Sequence, residues 1–272
     1  MATEVTWHQE AFGKEDAPRV LFLHGFMGCG AVWRPIAGAL GGAFHCICPD
    51  LPYHGRTRLP GENADGLTFE SVAEAIADRY SPQCAGECGL VGYSMGGRIA
   101  MYLALRYPEQ FSRAVIESAS PGIAEVAARA ERRAHDARLA ARLKGMPAGS
   151  AVFRQFLEEW YALPLWASLA ARPHLRDALI RQRLENDPAR LADALRALGS
   201  GMQPSLWDRV PECRRPMLMV AGARDARYRH VAERVAELSP RIAVHEMADC
   251  GHNVHAENPD GYTTVLRAFL ET

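Results

Sequence analysis

Ser94 stands at the centre of Gly92-Tyr93-Ser94-Met95-Gly96, between the apolar run Gly89 to Val91 and a helical stretch from Gly96 to Tyr107. A strand, a sharp turn and a helix in that order push the serine hydroxyl out at the end of a parallel sheet. The flanking glycines are needed because side chains would clash in so tight a turn. The N–H groups that open the helix point at any anion forming beside the hydroxyl. A serine with an ordinary pKa is a poor base and a poor nucleophile, so it needs a histidine, and the histidine needs an orienting acid. In this strand–turn–helix setting the chain order is Ser, then Asp or Glu, then His.

Four histidines lie in the C-terminal part: His230, His245, His252 and His255. The first two fall within a helical and an extended pattern. His252 sits in Asp249-Cys250-Gly251-His252-Asn253, a loop after the last apolar run, where a side chain can reach across the carboxyl edge of a sheet. His255, three residues on, is the second choice. For the acid, Asp225 follows the run Met217 to Ala221 through Gly222-Ala223-Arg224; Asp249 is the weaker rival because it is too near His252 along the chain. Ser94, Asp225 and His252 are therefore the expected triad. An oxyanion hole is expected from the backbone N–H of Met95 and one from the His24-Gly25-Phe26 loop, best supplied by Phe26. His24 is expected to hold that loop rather than to react.

Arg98 lies four residues after Ser94, which places it on the same helix face, one turn from the hydroxyl. A cation there opposes the positive end of the helix dipole at a cost of about 0.3–1 kcal/mol. Two readings account for it: a partner for a structural carboxylate, or a fork for a substrate carboxylate.

The elements that must position these groups alternate. Arg19 to His24, Phe44 to Cys48, the serine run and Arg113 to Glu117 read as buried strands, with helical patterns at Trp33 to Leu40 and Phe69 to Tyr80. This rhythm predicts an α/β fold with a doubly wound, mostly parallel sheet. From about Pro121 to Asp208 the pattern is helical without a convincing strand. Alternation resumes with Pro216 to Ala221, His230 to Leu238, Ile242 to His245 and Pro259 to Leu270. The expected organisation is a core of residues 1–120 and 209–272 with a helical lid, 121–208, inserted between strands.

The 272 residues are 48% hydrophobic and 23% charged with a formal net charge of -1, which suggests neither nucleic acid nor an anionic membrane as partner. There are 29 arginines against two lysines, so a single arginine is informative only where its position is unusual. Cys29, Cys46, Cys48, Cys84, Cys88, Cys213 and Cys250 are odd in number, scattered, and contain no Cys-x-x-Cys pair, which points to neither a disulfide framework nor a zinc site. Met1 to Trp7 has no signal-peptide pattern and no run reaches membrane-spanning length, so a cytoplasmic protein is expected.

The string Gly92-Tyr93-Ser94-Met95-Gly96-Gly97-Arg98-Ile99-Ala100, with Tyr107-Pro108-Glu109 and Glu117-Ser118-Ala119-Ser120-Pro121-Gly122, resembles one branch of the α/β-hydrolase fold. That branch is the 2-succinyl-6-hydroxy-2,4-cyclohexadiene-1-carboxylate synthase family of menaquinone biosynthesis. Further matches are Phe156 to Tyr161 with Pro164 and Ser168, and Gly251-His252-Asn253-Val254-His255 with Glu257-Asn258-Pro259. The resemblance implies a lyase that eliminates pyruvate from a small polycarboxylate, with no cofactor and no metal. Its serine acts as a base towards a carbon acid. It also implies substrate-binding roles for Tyr93, Arg98 and Trp160, and for Arg132 and Arg183 in the lid, with Arg133 and Arg181 as close rivals. The alternative within the same triad is a carboxylester or carbon–carbon bond hydrolase. A ligand-binding receptor that retains the triad is the third reading.

Overall fold

In a computed structural model, residues 5–59, 66–80 and 88–272 are described. Residues 1–4 of the N-terminal stretch and Cys84 lie outside them. Seven strands form one sheet: β1 (Gln9–Phe12), β2 (Arg19–Leu23), β3 (His45–Pro49), β4 (Cys88–Tyr93), β5 (Phe111–Glu117), β6 (Met217–Gly222) and β7 (Ile242–Met247). Their order is β1-β3-β2-β4-β5-β6-β7. Every neighbouring pair is parallel except β1 with β3. Strand β1 escapes the sequence reading because Gln9-Glu10-Ala11-Phe12 is short and polar. It is an edge strand that needs no apolar run.

Helices α1 (Arg34–Leu40), α2 (Phe69–Tyr80), α3 (Met95–Arg106), α8 (Ala226–Glu237) and α10 (Pro259–Leu270) flank the sheet. Side chains alternate across it. Val20, Phe22 and Val91 meet α1 and α10 through Ile36, Leu40, Tyr262 and Leu266. Leu21, Leu23 and Leu90 meet α2, α3 and α8 through Val72, Ile76, Ile99 and Val235. Both faces of the central strands are covered, which is why those strands read as unbroken apolar runs.

Between β5 and β6 run α4 (Val126–Lys144), α5 (Ala151–Tyr161), α6 (Pro173–Arg183) and α7 (Pro188–Leu198), with a 3-10 segment at Pro164–Ala171. These helices share an apolar core of their own, including Leu143, Phe153, Phe156, Leu157 and Leu191, and it reaches Met27 in the loop after β2. Helix α8 begins four residues earlier than the expected start at His230. The Asp225 carboxylate caps it by accepting the Tyr228 N–H at 3.2 Å, which outweighs the polar run Arg227-Tyr228-Arg229.

Packing just after the serine leaves no room for a side chain. A Cβ on Gly96 would overlap the carbonyls of Leu23 and His24 at the end of β2. Helix α3 can thus sit against the sheet only with glycine there. Gly96→Ala is expected to cost at least about 1–3 kcal/mol, as forced overpacking does. Denaturant unfolding checks this, and unchanged stability would show that the α3–β2 contact yields easily.

Candidate active site

Ser94 links β4 to α3 with φ 50° and ψ -107°, a left-handed conformation that costs a non-glycine residue free energy. Two main-chain bonds clamp it: the Ser94 N–H donates to the Glu117 carbonyl at 2.9 Å, and the Arg98 N–H donates to the Ser94 carbonyl at 3.0 Å. The buried Glu117 carboxylate reaches the other way, accepting the His255 N–H at 3.1 Å and His255 Nδ1 at 2.9 Å. His255 is therefore a buried tie between β5 and the short helix α9 (Val254–Glu257), away from the serine hydroxyl.

The loop after β7 brings His252 to Ser94. His252 Nε2 lies 3.2 Å from Ser94 Oγ, and Nδ1 lies 2.8 Å from Asp225 Oδ2. Asp225 divides its oxygens: Oδ1 caps α8 while Oδ2 faces the imidazole. An ionised carboxylate only accepts, so His252 carries its proton on Nδ1 and presents a lone pair to the serine hydroxyl. Rings of Tyr228, Trp166 and Tyr93 surround the imidazole at 4.8, 5.3 and 5.6 Å. Asp249, the rival acid, points outward and pairs with Arg224 at 2.8 Å. His230 and His245 are exposed.

The loop carrying Phe26 is pinned by His24. Its Nδ1 donates to the Gly25 carbonyl at 2.8 Å and its Nε2 accepts the Leu51 N–H at 2.9 Å, which fixes the neutral tautomer. Burial pushes its pKa down to about 3, and the His54 beside it is likewise held well below the usual histidine range by burial.

A cavity opens above Ser94. Phe26, Met95, Tyr93 and His252 form its base, and Trp160, Tyr161, Leu165 and Trp166 contribute from the helical layer. Four arginines also line it: Arg98, Arg132, Arg183 and Arg227. Among the described residues no carboxylate lines it. Arg98 is buried and donates to the carbonyls of Leu198 at 2.6 Å and Gly199 at 3.5 Å. Its partners are thus neither a structural carboxylate nor empty space, but the orphan acceptors at the C-terminus of α7, the negative end of that helix. Burial lowers its pKa to about 10, so it stays charged at neutral pH. Arg132 pairs with Asp136 at 2.8 Å. Arg183, only 4% exposed, donates to Gln182 Oε1 at 2.8 Å and pairs with no carboxylate among the described residues. The rivals separate: Arg133 bonds the Gly201 carbonyl, and Arg181 lies in a different surface groove. Arg227, Tyr228, Trp166 and His135 are lining residues that the sequence reading did not single out. Among the described residues no cluster of His, Cys, Asp and Glu could hold a metal ion, and no helix is long and apolar enough to cross a membrane.

Residues 18–259 match the α/β-hydrolase fold family. The chain is 35% identical to 2-succinyl-6-hydroxy-2,4-cyclohexadiene-1-carboxylate synthase of Serratia proteamaculans, with 95% of each chain covered. It is 36% identical to the chloroplastic protein PHYLLO of Arabidopsis thaliana, over 92% of this chain but only 15% of that longer protein. The solved structure of MenH from S. aureus superposes with a TM-score of 0.87 at 30% identity, covering 99% of this chain and 98% of that one.

Two outcomes are expected from this geometry. Ser94→Ala, His252→Ala and Asp225→Asn each abolish most turnover, and the Ser94→Ala/His252→Ala double variant is little worse than the worse single one, because one proton-transfer unit is lost either way. Steady-state kinetics check it; fully additive losses would separate the two residues. The second concerns His24. Its folded-state pKa lies below the unfolded value, so the unfolded chain takes up the proton first, and stability present above pH 6.5 is lost as the pH falls towards 3. Each such histidine contributes a slope of up to about 1.4 kcal/mol per pH unit. Unfolding free energies measured from pH 7 to 5 should decline, less steeply in His24→Gln; a flat profile contradicts the assignment.

Proposed function

The chain belongs to the 2-succinyl-6-hydroxy-2,4-cyclohexadiene-1-carboxylate synthase family of α/β-hydrolase-fold enzymes, and on that premise we propose how its residues carry the reaction. The protein is a lyase of menaquinone biosynthesis. It eliminates pyruvate from 2-succinyl-5-enolpyruvyl-6-hydroxy-3-cyclohexene-1-carboxylate. The observation that carries the residue roles is a cavity with Ser94 and His252 at its base, Asp225 behind the imidazole, and four arginines but no carboxylate among its described lining residues.

The Ser94 hydroxyl passes its proton to His252 Nε2, and Asp225 stabilises the imidazolium through Nδ1–H. The serine oxygen then removes the proton from the ring carbon bearing the succinyl ketone. The electron pair moves into the ketone oxygen, which the N–H groups of Phe26 and Met95 receive. Return of that pair breaks the carbon–oxygen bond to the enolpyruvyl group. The departing enolate takes the imidazolium proton and becomes pyruvate. Protons balance within the triad, and no external oxidant or cofactor is called on. Serine is a base here, not an acylated nucleophile.

The arginines hold a substrate with three carboxylates, and Tyr93 and Trp160 bound the space around its ring. A cationic wall in which Arg98 and Arg183 are buried favours such a ligand, since a neutral ester would leave those guanidinium groups without counter-charge. Residues 121–208 act as the lid that keeps water from the dienolate. The enzyme works in the cytoplasm, where a soluble biosynthetic intermediate reaches it.

Mixing the protein with the upstream intermediate should release pyruvate without a burst of first product and without a mass increase on Ser94. Deuterium at the ring carbon next to the succinyl ketone should slow the chemical step, and simple neutral esters should turn over poorly. Intact-protein mass spectrometry during turnover decides the chemistry. An acyl adduct on Ser94 with the natural substrate would establish the hydrolase mechanism instead.

A further inference from the structure

The four arginines of the cavity occupy three places, not four. Arg98 and Arg132 form one of them. Arg98 bonds the Gly199 carbonyl, the Asp136 carboxylate packs against the same Gly199, and Arg132 pairs with Asp136, so both guanidinium groups converge on the end of α7. Both are also engaged by the protein, Arg98 by the carbonyls of Leu198 and Gly199 and Arg132 by Asp136. Arg183, at the end of α6, belongs to the loop after β2: the Asn186 amide donates to both the Arg183 and the Met27 carbonyls, and the Arg183 charge acts on Tyr93, His24 and His54 around the Phe26 loop. Arg227 belongs to neither group. It comes from the first turn of α8, two residues past Asp225, with its guanidinium 5.6 Å from the Tyr228 ring that packs on His252.

Arg227 is also in an adverse position for the fold itself. A cation in the first turn of α8 meets the positive end of the helix dipole. Among the described residues it has no carboxylate or carbonyl acceptor, whereas Arg98, Arg132 and Arg183 each have one. Its place at the rim of the cavity, on the side of the catalytic acid and base, offers a bidentate donor to a ligand and to nothing in the protein.

We propose that Arg227 binds one carboxylate of the substrate and is a specificity-determining residue of this site. The inference rests on the polycarboxylate reading above. Three carboxylates need three separated cations. The Arg98–Arg132 pair supplies one and Arg183 the second, so Arg227 completes the set. A bound carboxylate also relieves the unfavourable charge at the α8 N-terminus, so ligand and helix stabilise each other.

The test uses Arg227→Gln and Arg227→Lys in the full chain, with two readouts. In the pyruvate-release assay Arg227→Gln should raise KM about tenfold, the lower end expected for a hydrogen bond to a charged group at a partly solvated site, with kcat moved far less. Arg227→Lys should fall between, because the charge remains and the fork does not. Binding of citrate as a tricarboxylate probe, followed by calorimetry, should weaken by a similar factor in Arg227→Gln. An unchanged KM together with pyruvate release by the wild-type protein would overturn the role of Arg227 while leaving the lyase reading intact. If the wild-type protein releases no pyruvate, the lyase reading fails on its own. The citrate titration then decides Arg227: equal binding by both proteins, or by neither, rejects the proposal.

Discussion

Glu117, at the carboxyl end of β5, ties together the two loops that have to meet. Its main-chain carbonyl takes the N–H of the strained Ser94, and its buried carboxylate takes the main-chain and ring N–H of His255. His252 is three residues from His255, so the serine turn and the histidine loop are referenced to one rigid point in the middle of the sheet. Left-handed Ser94 persists because this bond, the Arg98 N–H bond and the contact of Gly96 with the end of β2 over-determine it. The 3.2 Å approach of hydroxyl and imidazole is then a property of the sheet rather than of two mobile loops.

The electrostatics above that point are one-sided. Of the four guanidinium groups around a partly apolar cavity, Arg98 and Arg183 are buried and lose solvation, Arg132 is half-buried and Arg227 exposed, and the protein supplies acceptors to three of them: α7 carbonyls for Arg98, Asp136 for Arg132, an amide oxygen for Arg183. An unfilled balance of this kind discriminates by what a ligand lacks. On the function proposed above, a ligand without carboxylates leaves the buried Arg98 and Arg183 charges without a counter-charge, which disfavours it beyond any loss of shape.

Much of this was legible in the chain. Buried parallel strands announce themselves as apolar runs, and Phe69–Tyr80 and Pro259–Leu270 carry helical periodicity strong enough to place both ends. The positions of Ser94, Asp225 and His252 follow from strand ends and chain order, since loops at the carboxyl edge of one sheet must converge. Strand β1 was not legible, because an edge strand of four half-polar residues has no apolar signature. Nor was Arg227, which is one arginine among 29 in a segment whose helix begins through a side-chain cap rather than through periodicity. The partner of Arg98 was hidden for a different reason: its acceptors are main-chain atoms 100 residues away, and main-chain acceptors have no letter in a sequence.

That last feature bears on how this chain can change over time. Because Arg98 holds α7 by the carbonyls of Leu198 and Gly199, the attachment is indifferent to which side chain α7 presents at position 198. Gly199 is the constrained neighbour, since a Cβ there would crowd Leu195 and Asp136. The covering helices can therefore diversify their inner surface while remaining docked on α3, the helix that Ser94 opens. Such an arrangement lets ligand preference drift between lineages without the joint itself having to be reinvented.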